Sequence, residues 1–329
     1  MAPNIDPYNR EITYLRVSVT DRCNLRCIYC MPVKDLQLLD HADILRYEEI
    51  LKLIEVAAGL GVRKIRLTGG EPLVRKGFIH LVESVCRIPK VEDVSITTNG
   101  VFLKEMAASL FEAGLRRVNV SLDTLNPLKY KKITGRACFN LVWEGLQRAE
   151  AVGFRPVKVN VVTMKGLNDD ELHQFADLSI QKPYHIRFIE YMPIGRGSNW
   201  EPQKYIGSDE IKSRLGSFGQ LSKVPRSIHD GPVERYRFKS AKGEIGFIGA
   251  LSHHFCPSCN RLRLTPDGKL RPCLFSDDEV DIKSPLRTGS SREGLEEIFL
   301  QAIARKPRRH HAGILEGPAA MRAMSMIGG

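Results

Sequence analysis

Six short β-rich runs recur along the first two-thirds of the chain: YLRVSVT, KIRLT, VSITT, RVNVSL, VKVNVV and HIRFIEYM. Amphipathic stretches separate most of them, and that alternation confines the fold to a parallel sheet with helices on its outside. EEILKLIEVAAGLG is predicted to be a helix stopped by Gly59 and Gly61, and KEMAASLFEAG one ended by Gly114. DDELHQFADLSI begins beside the capping candidates Asn168 and Asp169. Six such units suit an open doubly wound sheet or a barrel.

The polar residues within the strands keep one register: Arg16 and Ser18, Arg66 and Thr68, Ser95 and Thr97, Asn119 and Ser121, Lys158 and Asn160. Period 2 puts each pair on one face of its strand, with Leu15, Val17, Ile65, Leu67, Val118, Val120, Val157 and Val159 on the other. The apolar face must meet the helices. The polar face therefore lines a wet interior carrying two arginines and a lysine. A closed eight-stranded barrel fills its middle with branched apolar side chains, whereas this one keeps space for a large anionic ligand.

A chain of 329 residues suits one large α/β domain with an appendage, or two domains. From about residue 220 the pattern changes to short strands and turns, with Asp267-Gly268 a hairpin turn, helices near 279–287 and 292–305, and a Gly-rich tail. The division expected is 1–220 and 221–329. No apolar run is long enough to cross a membrane, and the start MAPNIDPYNREITY lacks a secretory pattern, so a cytoplasmic location is expected. In that compartment eight cysteines read as metal ligands or buried thiols rather than disulfides. A net charge of +11, from 49 Lys+Arg against 38 Asp+Glu, points to an anionic partner. The run RKPRRHH at 305–311 reads as a solvated basic face.

Cys23, Cys27 and Cys30 form C-x3-C-x2-C directly after the first strand, at the carboxyl end where barrels build active sites. Three thiolates can hold three irons of a [4Fe–4S] cluster and leave the fourth open, or can take a distant fourth ligand for zinc. Downstream, Gly69 and Gly70 in RLTGGEPLVR permit a tight turn or a close backbone approach. Cys256, Cys259 and Cys273 form a second trio, C-x2-C-x13-C, which reads as another open cluster site or as a zinc site completed by His253 or His254. Cys86 and Cys138 stand alone as buried, inert thiols.

CNLRCIYC followed by TGGEP resembles the radical S-adenosylmethionine (SAM) superfamily. Adding the second trio with NRLR, and the ending MSMIGG, the whole chain resembles the GTP 3′,8-cyclase family of molybdenum cofactor biosynthesis. The resemblance implies a partial (β/α)6 TIM-like barrel of the radical SAM type, with a C-terminal α+β extension carrying a second Fe–S cluster. It implies two [4Fe–4S] clusters, one on Cys23, Cys27 and Cys30 and one on Cys256, Cys259 and Cys273. Tyr29, Gly70, Ser121 and Met192 match SAM contacts, and Arg16, Arg66, Thr97, Lys158, Arg261, Leu262 and Arg263 match GTP contacts. Arg261, Arg263 and the terminal pair Gly328 and Gly329 match residues needed for turnover.

The chemistry so implied begins with a 5′-deoxyadenosyl radical that removes hydrogen from C3′ of GTP, after which the ribose closes on C8 of guanine. The family also implies a homodimer, an electron donor and a downstream cyclic pyranopterin monophosphate synthase, with no role for nucleic acid or membrane. Two competing readings are a radical SAM peptide-modifying enzyme with an auxiliary cluster, and a zinc-dependent nucleic-acid-binding protein. The first generally has more C-terminal cysteines, and the second needs its basic residues along an exposed stripe.

Overall fold

The computed structural model describes residues 4–31, 38–195, 200–225, 231–313 and 320–328. Each of the six runs is a strand: β1 (Tyr14–Ser18), β2 (Lys64–Thr68), β3 (Asp93–Thr98), β4 (Arg117–Ser121), β5 (Val157–Thr163) and β6 (Tyr184–Glu190). They pair in sequence order, all parallel. The crossovers carry α1 (Tyr47–Gly59), α2 (Phe78–Cys86), α3 (Leu103–Glu112), α4 (Pro127–Thr134), α5 (Phe139–Val152) and α6 (Leu172–Gln181).

Local sequence explains these elements. The buried stripe of α1 runs Ile50, Leu53, Ile54, Ala57, the spacing of one helical face. Past its end Gly61 takes φ +110°, and Gly114 after α3 takes φ +101°, a region open to glycine at little cost. Asn168 does not cap α6 as expected. A short 3-10 turn over Asp169–Glu171 intervenes, and the Asn168 amide is used to hold the loops at the ends of β4 and β5.

The chain after residue 220 continues the same sheet. α7 (Ser208–Gly216) comes just before that point, and the chain beyond it supplies β7 (Leu221–Lys223), β8 (Glu234–Phe238), β9 (Glu244–Ile248), β10 (Arg261–Leu264), β11 (Lys269–Arg271) and β12 (Val280–Asp281). β9 pairs parallel with β6, and β10 pairs parallel with β1. Eight parallel strands thus run β10-β1-β2-β3-β4-β5-β6-β9, with β11–β12 and β8–β7 antiparallel at the two edges. The partial barrel of six is present, and the C-terminal extension widens it on both sides.

The hairpin at Asp267-Gly268 is present, with Gly268 N–H donating to the Thr265 carbonyl and Gly268 at φ +73°. The helix expected over 279–287 is shorter: β12 occupies its start, and α8 spans Lys283–Arg287. Last come α9 (Arg292–Ala304), packed against α1, and α10 (Met324–Ile327). Among the described residues no helix is long and apolar enough to cross a membrane.

The two faces of the sheet divide as the alternation requires. Leu15, Val17, Ile65, Leu67, Val118, Val120, Val157 and Val159 are at most 2% exposed and lie in the core beneath the helices. Each such burial stabilises the fold by roughly 1.5–3 kcal/mol. The other face lines the lumen.

Candidate active site

The first trio sits on a loop tied down at several points. Arg26 and Ile28 donate backbone N–H bonds to the carbonyls of Thr134 and Ile133 at the end of α4, and Cys30 and Met31 both donate to the Cys27 carbonyl. Cys23 Sγ accepts from Leu25 N–H at 3.4 Å and from the Asn99 amide at 3.8 Å. Burial, with neighbouring acidic groups, pushes all three thiols up, Cys30 to about 12. Such thiols give up their protons when a metal takes the sulfur. All eight cysteines are free.

The glycines of GGEP pack against this loop. Gly70 donates to the Thr20 carbonyl at 2.7 Å, and a Cβ on Gly70 would fall into the Asp21–Arg22 backbone. Only glycine allows that approach. Glu71, 1% exposed, accepts from Thr98 Oγ1, Asn99 N–H and Leu73 N–H and so joins the ends of β2 and β3. Burial raises its carboxyl to about 7 against those hydrogen bonds.

Tyr29 donates to Asp123 Oδ2 at 2.7 Å, and Val162 N–H donates to Oδ1 at 2.8 Å. Burial raises the Asp123 carboxyl to about 6. Ser121 and Met192 line the same cavity as Tyr29 and Gly70.

The strand side chains make a cationic lumen. Arg16 lies in register with Arg66 on β2 and Arg263 on β10, and Lys158 with Asn119, itself opposite Thr97. Arg66 Nε donates to Ser95 Oγ at 3.2 Å. Burial, reinforced by crowding with Arg187, Arg117, Arg66 and Lys64, lowers the Lys158 ammonium to about 5. Burial brings Lys64 to about 7 and Arg263 to about 10. Burial would raise the Tyr14 phenol, yet the charges of Arg66, Arg16, Arg261 and Lys64 outweigh it and bring it to about 7. Among the described residues the buried Thr97 and Tyr14 hydroxyls have no hydrogen-bond partner. So many stacked cations and orphaned hydroxyls suit a polyanion.

The second trio lines that cavity too. Cys259 and Cys273 flank the amino end of β10, whereas the first trio follows the carboxyl end of its neighbour β1. The two trios therefore stand at opposite ends of a strand pair spanning roughly 13 Å. His253 is exposed and paired with Asp209 at 2.7 Å, so it is no ligand candidate. His254 Nδ1 lies 2.9 Å from His310 Nε2, and among the described residues the one set of ligating atoms all within 4.8 Å is His254, Cys256 and His310. Neither cysteine trio forms such a set. A tetrahedral zinc shell with bonds of about 2.3 Å would bring its sulfurs closer than that. Three thiolates spread more widely fit a polynuclear cluster.

The tail enters the lumen. Ile327 is 1% exposed, packed with Ile194, Ala250 and Phe275, and Arg263 Nη1 donates to the Gly328 carbonyl at 2.8 Å. Gly329 lies outside the described residues.

Two expectations need correction. The Leu262 side chain, 1% exposed, packs in the core, because β10 alternates and turns only Arg261 and Arg263 inward. The basic run is not a solvated face throughout, since Lys306 and His310 are 4% and 7% exposed and lie behind the second trio. Cys86 and Cys138 pack against the core away from the cavity. Sequence reasoning also missed Tyr14, Glu71 and Asp123. Tyr14 shares the register of Arg16 and Ser18, a signal that was there to be read.

Residues 17–179 match the Radical SAM superfamily, and residues 184–312 match Molybdenum Cofactor Synthesis C. The chain is 51% identical over 324 residues to a GTP 3′,8-cyclase of Moorella thermoacetica, covering 98% of this chain and 99% of that one. It is 51% identical over 326 residues to a GTP 3′,8-cyclase of Thermodesulfovibrio yellowstonii, covering 98% and 99%. Among solved structures, Streptococcus suis SuiB bound to S-adenosylmethionine superposes with a TM-score of 0.67 over 98% of this chain and 77% of that one. At 14% identity that likeness shows the fold alone.

Proposed function

We propose that this chain, which belongs to the GTP 3′,8-cyclase family of radical SAM enzymes, converts GTP to (8S)-3′,8-cyclo-7,8-dihydroguanosine 5′-triphosphate, the first step of molybdenum cofactor biosynthesis. The observation that carries the reading is a single cavity with a cysteine trio at each end and a cationic lumen between them.

On this reading Cys23, Cys27 and Cys30 hold one [4Fe–4S] cluster and Cys256, Cys259 and Cys273 a second. When bound, the first cluster with SAM would supply radical chemistry for hydrogen abstraction from the ribose of GTP, and the second cluster would supply a metal centre for the nucleotide at the other end of the lumen. Tyr29, Gly70, Ser121 and Met192 seat SAM, with Tyr29 oriented by Asp123. Arg16, Arg66, Thr97, Lys158, Arg261 and Arg263 seat the triphosphate, where guanidinium forks suit phosphate oxygens. Leu262 contributes only through its backbone. Residues 1–220 act as the SAM-binding unit and 221–329 as the unit that brings the second trio and the tail to the substrate. The buried apolar group around Ile194, Ala250 and Ile327 keeps water from the reacting atoms. A cytoplasmic homodimer, an external electron donor and delivery to cyclic pyranopterin monophosphate synthase complete the assignment.

Anaerobic turnover with SAM, a reductant and GTP deuterated at C3′ tests this reading. It predicts cyclised product and deuterium in 5′-deoxyadenosine, and SAM cleavage without deuterium transfer contradicts it. The binding step has its own signature. A triphosphate restores the charge of Lys158 and Lys64, whose free-protein values lie near 5 and 7. A group raised on binding strengthens the complex fully below its free value, and that gain is lost as pH rises through its bound value. GTP affinity should therefore begin to fall as pH rises above about 5 and fall more steeply above about 7, with uptake approaching roughly two protons per GTP at pH 7.5. Calorimetry in buffers of different ionisation enthalpy reads that uptake, and none is expected for guanosine.

A further inference from the structure

The segment after α9 runs directly behind the second trio. Lys306 Nζ donates to the Arg261 carbonyl and to the Pro272 carbonyl, each at 2.8 Å. Those carbonyls lie two residues beyond Cys259 and one before Cys273. An ammonium has three N–H donors; two of them are used on these carbonyls, and the residue is only 4% exposed.

Arg10 performs the matching task for the third cysteine. It donates to the Cys256 carbonyl and to the Pro307 carbonyl, each at 2.8 Å, and is itself held by Asp6 at 2.6 Å. The chain neighbour of Lys306 is thereby tied to the N-terminal segment. The first trio has a cation of a different kind: Arg26, which is exposed, donates to the Cys23 carbonyl at 2.7 Å, while the buried ionisable groups close to that trio among the described residues are the carboxyls of Glu71 and Asp123.

We propose that Lys306 is a positioning residue of the second metal centre: it fixes the backbone next to Cys259 and Cys273 and places a buried positive charge beside these ligands, favouring the reduced state of the cluster held there. This rests on the reading that the second trio holds a [4Fe–4S] cluster. Net charge and hydrogen bonds to the sulfurs are among the factors that set the potential of such centres, and groups that orient the ligands commonly govern metal retention as well.

The test uses the full chain reconstituted anaerobically as wild type, Lys306→Met, Lys306→Gln and Lys306→Arg. Iron and sulfide are counted, and a redox titration follows the electron paramagnetic resonance signal that GTP perturbs, with the signal that SAM perturbs as internal control. Lys306→Met should lower the reduction equilibrium of the GTP-sensitive centre at least tenfold, about 59 mV for one electron. The SAM-sensitive centre should be unmoved, and Lys306→Arg should recover most of the shift. Loss of about half the iron in Lys306→Met but not in Lys306→Arg supports the proposal equally. Full iron with an unmoved midpoint in Lys306→Met overturns it, as does a defect shared by Met, Gln and Arg, which would make the residue one of packing alone. Wild-type protein carrying only about four irons is a different result, one that removes the second cluster itself.

Discussion

Cys30→Ala is expected to stop reductive SAM cleavage, whereas Cys259→Ala is expected to keep it and yield no cyclised GTP. Each substitution takes one thiolate from a set of three, and a three-ligand site has none in reserve. The sets share no ligand, and their loops are anchored separately, by α4 on one side and by Lys306 and Arg10 on the other. Loss at one end should therefore leave the other loaded. 5′-Deoxyadenosine and cyclised product are quantified in the same anaerobic reactions. Product at the wild-type rate from Cys259→Ala would remove the second trio from the chemistry.

Deleting Gly328 and Gly329 should lower cyclisation at least tenfold while leaving iron content and melting temperature nearly unchanged. The Gly328 carbonyl is fixed by Arg263, and Gly328 adopts φ +72° between Thr68 and Ser18. A Cβ there would strike the Thr68 hydroxyl and lie 3.2 Å from Ser18 Cβ. Gly328→Ala adds that clash to a backbone conformation costing about 1–3 kcal/mol for other residues, which alone is a loss of docked tail of roughly five- to 150-fold. It should resemble the deletion. The fold does not depend on the pair, because Ile327 is the residue that anchors the tail in the apolar group beside it. Wild-type turnover by the truncated chain would make the docked tail incidental to catalysis.

The lumen was legible in the sequence because a strand's period is fixed at two, so Arg16, Arg66 and Lys158 had to share a face once their neighbours were apolar. The same rule places Leu262 on the opposite face, and family matching of the contiguous segment 261–263 hid that. Tyr14 was missed because an aromatic at a strand start reads as core. Its polar role comes from Lys64, Arg66 and Arg261, which converge on it from β2 and β10.

The pairing of β9 and β10 with opposite edges of the six-stranded sheet has no local signature, since it joins residues up to 247 positions apart. Lys306 was misread for a similar reason. A basic run looks solvated until carbonyls from residues 261 and 272 fold over it. Asp123 and Glu71 follow strand ends, where acidic residues commonly serve turns, and only tertiary packing shows that one orients Tyr29 and the other joins two loops.

The central claim is that two cysteine trios hold two four-iron clusters facing one nucleotide-sized lumen. Iron, acid-labile sulfide and zinc, measured on a single anaerobically purified and reconstituted sample, test it most directly. The account predicts a brown protein with about eight irons and eight sulfides per chain and little zinc. Stoichiometric zinc, or about four irons in a protein whose content is unaffected by Cys259→Ala, would contradict it.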